Sequence, residues 1–110
     1  MEENKYKIIS DNSSPIELID IDREEGTVNY LGYLLDLTKS EYAIFIAIFD
    51  CGGQGIAAKQ ISEESGKAKP MNEGDIAVHI HNINQKSQNI GLRNLILQKR
   101  GEGYFINPNP

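Results

Sequence analysis

The residues best suited to chemistry lie near the C-terminal end of the chain. Lys99 and Arg100 precede Gly101 and Gly103, and apolar residues fill both flanks of the stretch 95–106. Two glycines spaced by one residue let the backbone reverse through positive φ, so the stretch predicts a β-hairpin with both cations at its bend. Ammonium and guanidinium groups placed there can clamp phosphate oxygens. A Lys-Arg pair at a turn is also a common way of keeping the turn soluble.

An amphipathic helix is predicted immediately upstream, over residues 72–88, because Ile76, Ile80 and Ile83 recur at helical spacing. Its polar side chains include Asn and Gln, which donate and accept in a bidentate pair with adenine. On most amphipathic helices such residues form only a solvated face, and both interpretations stay open. A helix followed by a basic-tipped hairpin is the layout of a winged helix, whose helix enters a DNA groove while the hairpin, or wing, grips the flanking backbone.

Local patterns predict the elements that must position these groups. Residues 1–14 are polar and are expected to form a flexible leader, with one domain over residues 15–107 and a short tail over 108–110. Strands are predicted at 16–21, 27–30 and 33–37, and the last two form a hairpin about Gly32.

Three helices follow these strands. Thr38-Lys39-Ser40-Glu41 is a capping box before an almost entirely apolar helix over residues 42–49, which must be buried on most sides. A shorter helix is expected over 56–64 and a loop over 67–71. Asn72, with Asp75 three residues later, then caps the third helix. The expected fold class is α+β.

The charge of the chain is unevenly distributed. The formal net charge is −5, but residues 1–37 carry −6 and residues 38–110 carry +1. Between Ile76 and Gly101 there are four basic residues and no acidic one. The cations are therefore concentrated in the part that would face nucleic acid, although the acidic remainder weakens long-range attraction.

Several classes of function are not expected. No run approaches the roughly 18 apolar residues of a membrane span, and the first residues lack the pattern of a signal peptide. A single cysteine, Cys51, fits a reducing compartment, so the cytoplasm is the expected location. His79 and His81 point apart on a helix and do not make a zinc site with Cys51. No catalytic pair or phosphate-binding loop is present, so neither enzymatic activity nor a cofactor is expected.

Three stretches, in the right order and spacing, resemble the OmpR/PhoB-type winged-helix effector domain of bacterial two-component response regulators. Residues 28–42 match the family's strand, glycine turn, strand and Leu-Thr-x-x-Glu-aromatic helix start. Residues 76–86 match its recognition helix, and residues 100–104 match the Arg-Gly-x-Gly-Tyr pattern of its wing. The resemblance covers residues 16–106 and implies an effector half without the phosphorylated receiver domain.

The recognition helix departs from the family pattern. Positions where the family usually carries arginines correspond to Gly74, His81, Asn82 and Asn84, and only Lys86 remains as a cation. His79 is either a groove-proximal residue near phosphate, as the resemblance implies, or a half-buried histidine that orders the helix. The residues expected to contact DNA are His79, His81, Asn82, Asn84, Gln85, Lys86, Arg93, Lys99 and Arg100.

The function expected from the resemblance is sequence-specific binding of double-stranded DNA and regulation of transcription. Few phosphate contacts imply low affinity per monomer and a shallow salt dependence, so a homodimer on tandem sites is expected, with RNA polymerase as a further partner. The alternative is a protein-interaction module that has lost DNA binding and docks on polymerase or another regulator. An electropositive face from Lys86 to Arg100 favours DNA, whereas a neutral face exposing Ile90 or Leu92 favours protein.

Overall fold

The N-terminal part of the fold is a three-stranded antiparallel sheet. The computed structural model describes residues 19–52, 54–65 and 71–108, so the expected leader and residues 16–18 of the first predicted strand lie outside the described residues. Strands β1 (Ile19–Asp22), β2 (Thr27–Tyr30) and β3 (Tyr33–Leu35) pair in that order. Strand β3 ends two residues earlier than predicted, because the Leu37 amide bonds back to the Leu35 carbonyl oxygen at 2.9 Å.

The hairpin between β2 and β3 turns in two residues, Leu31 and Gly32. Tyr30 pairs directly with Tyr33, and φ is +53° at Leu31 and +86° at Gly32. Positive φ at both central residues defines the turn whose twist matches that of the flanking strands. The predicted turn about Gly32 is therefore confirmed, with leucine holding a conformation that favours glycine or asparagine.

The three helices are α1 (Lys39–Phe49), α2 (Ala58–Ser65) and α3 (Glu73–Asn89). Both predicted caps are confirmed: Thr38 with Glu41 and Asn72 with Asp75 form reciprocal capping boxes. Helix α2 begins two residues later than predicted, because Ile56 forms a β-bridge with Tyr104 instead of the first helical turn.

The wing is the hairpin of β4 (Ile96–Lys99) and β5 (Gly103–Ile106). Ile56 extends it on one side, exchanging two backbone hydrogen bonds of 2.9 Å with Tyr104. A Cβ added to Gly103 would collide with the Ile56 carbonyl group, and φ at this glycine is +90°. The second glycine of the Gly-x-Gly turn thus permits both the backbone conformation and the close approach of residue 56.

The core lies where α1 packs against α2, α3 and β5. As its apolar sequence predicted, α1 is buried along most of its length. The other helices and both sheets contribute mainly branched aliphatic side chains: Val28, Leu35, Ile61, Ile76, Ile83, Leu95, Ile96 and Ile106. No helix within the described ranges is long and apolar enough to cross a membrane.

Candidate nucleic-acid interface

Helix α3 divides into a buried face and an exposed face. Ile76, Ile80 and Ile83 are buried on one side. With 100° per residue, Val78 and Gln85 project on the opposite side, and both are exposed. Val78 has 59% of its surface accessible. In the described part of the chain, the other exposed large hydrophobic side chains are Tyr33 and Leu34, which belong to the N-terminal sheet. The outward face of α3 is therefore open to a partner and largely uncharged.

His81 and Asn82 flank this outward face. His81 is exposed and borders a groove between α3 and β4, whereas Asn82 is half-buried. Neither has a hydrogen-bond partner among the described residues, so both side chains are available for a ligand. Their contact with DNA remains a prediction, as does that of Gln85.

Lys86 is engaged inside the protein. Its Nζ lies 2.6 Å from Oε1 of Glu41, and the two side chains are 30% and 4% exposed. Burial raises the pKa of the Glu41 carboxyl. Hydrogen bonds from Lys86 and the Thr38 amide, together with electrostatic attraction from Lys86 and His79, lower it by more than burial raises it, so this pKa lies below its ordinary value. The cation of α3 therefore neutralises a buried carboxylate at the start of α1.

Asn84 joins the recognition helix to the wing. Its Nδ2 donates to the Ile96 carbonyl oxygen at 3.0 Å, and its Oδ1 accepts from the Ile96 amide at 2.9 Å. Both polar groups of the amide are thus used by one residue of β4. This bidentate pair fixes the position of the wing relative to α3, and base contact by Asn84 would have to compete with it.

His79 is half-buried on the side of α3 that faces Glu41. Its Nδ1 is enclosed and has no hydrogen-bond partner within the described residues. This placement favours the interpretation of a histidine that orders the helix. Phosphate contact by His79 is left as a prediction.

The wing tip contains one paired and one unpaired cation. Lys99 Nζ lies 3.1 Å from Oε2 of Glu102, and both side chains are exposed. Arg100 is exposed and forms no ion pair within the described part of the chain. An open groove of about 1080 Å³ lies between the wing, α2 and the start of α3, and Glu73 lines it together with the two cations. Arg100 is therefore the wing side chain with the fewest competing contacts.

Arg93 lies in a fixed segment between α3 and β4. Its carbonyl oxygen accepts from Oγ of the buried Ser87, and nearby the side chains of Gln88 and Asn94 are joined at 2.6 Å. The Arg93 side chain is exposed, and among the described residues it has no carboxylate partner. It is available for phosphate, as predicted, although the structure does not test that contact.

The surface shows neither the continuous electropositive face expected for a DNA partner nor the exposed Ile90 or Leu92 expected for a protein partner. Lys86 is neutralised by Glu41, so no continuous positive face runs from it to Arg100. Ile90 and Leu92 are partly buried against the core. The large apolar side chain that is exposed on α3 is Val78.

Two carboxylates that affect this interface were not singled out from the sequence. Glu41 was assigned only to its capping box, because a partner 45 residues away leaves no local signal. Glu73 begins α3 and lines the groove beside the wing. An acidic residue in the first turn is favourable for the helix dipole and unfavourable near phosphate.

Neither a protein-family model nor a curated protein matches the sequence. The structure, however, is similar to the DNA-binding domain of the response regulator AdeR, solved in complex with an intercistronic region, with a TM-score of 0.70, 24% identity, and coverage of 84% of this chain and 95% of that one. It is also similar to the DNA-binding domain of CpxR from E. coli, with a TM-score of 0.67, 20% identity, and coverage of 90% of this chain and 100% of that one.

A third similar structure comes from a family of redox sensors in the streptococci that evolved from two-component response regulators. Its TM-score is 0.70 at 23% identity, over 97% of this chain and 49% of that one. The present chain thus spans about half of that protein. The expected fold is confirmed: this is an α+β winged-helix fold of the kind found in OmpR/PhoB-type response-regulator DNA-binding domains.

Proposed function

We propose that this protein binds double-stranded DNA and regulates transcription, with α3 in the major groove and the wing on the flanking backbone. The observation that carries the proposal is the uncovered outward face of α3 beside a wing that presents Arg100, within a winged-helix fold. Structural neighbours that are DNA-binding domains support the same function. In such a fold the helix is held at the angle that the groove requires, and the wing supplies phosphate contacts.

The ion pairs determine how strongly salt should affect binding. Of the four cations between Ile76 and Gly101, Lys86 and Lys99 already have carboxylate partners, whereas Arg93 and Arg100 have none among the residues that the structure describes. Each neutralised phosphate adds roughly −0.9 to the slope of log K against log salt. Two free arginines therefore imply a slope of about −2 per monomer, which is shallow for a DNA-binding protein.

Low affinity per monomer would require a second copy on a tandem site. The N-terminal sheet offers a surface for that contact, because Tyr33 and Leu34 are exposed on the edge strand β3. Exposed apolar side chains on an edge strand, which has one side without a partner strand, are typical of a protein contact. We propose a homodimer on DNA through this strand, with RNA polymerase as a further partner of the assembled complex.

The proposal is tested by fluorescence anisotropy of labelled duplexes at about 50 and 200 mM salt, the range in which phosphate-driven binding changes steeply. Random-sequence and promoter pools are compared. Arg100→Ala should weaken binding and reduce the slope by about 0.9. Arg23→Ala, which removes the same charge from the turn after β1, where Arg23 pairs with Asp50, should leave the slope unchanged.

A second function is favoured by the neutral face of α3. Val78 is exposed, Lys86 is neutralised, and Glu73 lies in the groove beside the wing. These features suit a protein partner better than a phosphate backbone. A folded protein that binds no duplex at 50 mM salt would support this interaction module and refute the DNA-binding proposal.

A further inference from the structure

We infer that α3 reads A·T base pairs, with Val78 contacting a thymine methyl group and Gln85 pairing with an adenine. This inference rests on the proposed function and adds the class of DNA sequence that the helix selects. It follows from which side chains the structure leaves free on the outward face and which it uses elsewhere.

The geometry places the two residues on one reading face. Val78 and Gln85 are seven residues apart, two turns of helix, and both are exposed opposite the buried Ile76 and Ile83. At 1.5 Å per residue they lie about 10 Å apart along the helix axis. That distance corresponds to roughly three base-pair steps of 3.4 Å. Both side chains can therefore reach base edges within one short site.

The structure also removes the side chain that would read guanine. Arginine and lysine make the commonest specific contact with guanine, through its O6 and N7 atoms. Lys86 is the only Lys or Arg in α3, and its ammonium lies 2.6 Å from the buried Glu41 carboxylate. Withdrawing it would leave that carboxylate without its cation. The exposed face therefore has no free cation for a G·C pair.

The side chains that remain match the chemistry of an A·T pair. Thymine presents a C5 methyl group, which binds apolar side chains, and adenine presents a donor and an acceptor that pair with Gln or Asn. Val78 is an exposed β-branched residue on a helix, where such residues cost helix propensity, so local stability does not account for it. A thymine methyl contact would cover this apolar surface.

Cytosine reading by a carboxylate is the competing possibility on this helix. Asp75 is engaged in the cap, where its Oδ2 accepts from the Asn72 amide at 3.2 Å. Glu73 lies towards the wing groove rather than beside Gln85. Asp75 lies one turn before Val78 but its carboxylate is held in the cap, and Glu73 lies away from this face, so A·T recognition is the better match.

The test begins with selection of bound duplexes from a random library by the full chain. Two A·T pairs about three base-pair steps apart are expected in the selected site. Replacing its thymines with deoxyuridine removes only the methyl groups and should weaken binding about fourfold, the value of one buried methyl-sized group. Val78→Ala should distinguish the two duplexes less than the unmodified protein does, because it lacks the two γ-methyl groups of valine.

The adenine contact is tested in the same way with 7-deazaadenine, which lacks the N7 acceptor. The analogue should weaken DNA binding by the unmodified protein at least about fivefold and leave DNA binding by Gln85→Ala unchanged. Circular dichroism confirms that both variants are folded. Selection of G·C pairs beneath α3, or equal binding of thymine and deoxyuridine duplexes, would overturn the inference while leaving DNA binding intact. No binding of any duplex would overturn both.

Discussion

Replacing Lys86 with methionine tests how the structure uses its recognition-helix cation. The substitution keeps most of the aliphatic side chain and leaves Glu41, 4% exposed, without its cation. Breaking a fully buried ion pair costs about 3–5 kcal/mol. Lys86 is 30% exposed and Glu41 keeps the hydrogen bond from the Thr38 amide at 3.0 Å. We therefore expect the free energy of unfolding to fall by about 2 kcal/mol at pH 7.

The pH dependence identifies the cause of this loss. The pKa of Glu41 is lowered in the folded protein, so this group contributes stability that is present above its unfolded pKa and is lost as the pH falls through the folded pKa. In Lys86→Met, burial still raises this pKa and both contributions of Lys86 that lower it are lost, so the pKa of Glu41 should lie higher than in the unmodified protein. Protonation then relieves the buried charge, so the difference between the two proteins should shrink between pH 7 and about pH 4.

The assay is urea unfolding followed by circular dichroism at pH 7 and pH 4.5. Lys59→Met, which removes an exposed lysine from α2, serves as a control and should change the free energy of unfolding by less than about 0.5 kcal/mol. Combining Lys86→Met with Glu41→Gln should restore part of the loss, because glutamine keeps the capping acceptor and carries no charge. A loss below 0.5 kcal/mol at pH 7, or one that does not depend on pH, would refute the reasoning.

Three further predictions concern local structure, measured by the same unfolding assay. Gly103 and Gly91 both have a φ of +90°, but only at Gly103 would an added Cβ meet neighbouring backbone. Gly91→Ala should lower the free energy of unfolding by roughly 1 kcal/mol, and Gly103→Ala should lower it by about 2 kcal/mol more. Equal losses would contradict the role of the close approach. Asn84→Ala should cost about 2 kcal/mol, because it leaves a buried amide and carbonyl without partners, whereas Asn82→Ala should be nearly neutral. Thr38→Ala should cost about 1 kcal/mol through loss of the α1 cap, and Thr38→Ser should restore most of it.

The sequence alone was sufficient for features that depend on neighbouring residues. Both capping boxes, the turn at Gly32 and the wing turn were predicted, because each is formed within a few residues and has a characteristic residue pattern. The order of the elements followed from the same local patterns, together with the resemblance to a known family. The polar stretch 81–85 could also be placed on α3, although which of its residues remain free could not.

Only the tertiary structure decided which of those polar residues are free. Lys86 and Asn84 look equivalent to Gln85 in the sequence, but packing places Lys86 against Glu41 and Asn84 against the backbone of Ile96. The bridge between Ile56 and Tyr104, which shortened α2, joins residues 48 positions apart. These contacts depend on how whole elements pack around α1, and a buried carboxylate or backbone group must take the nearest partner that packing brings to it.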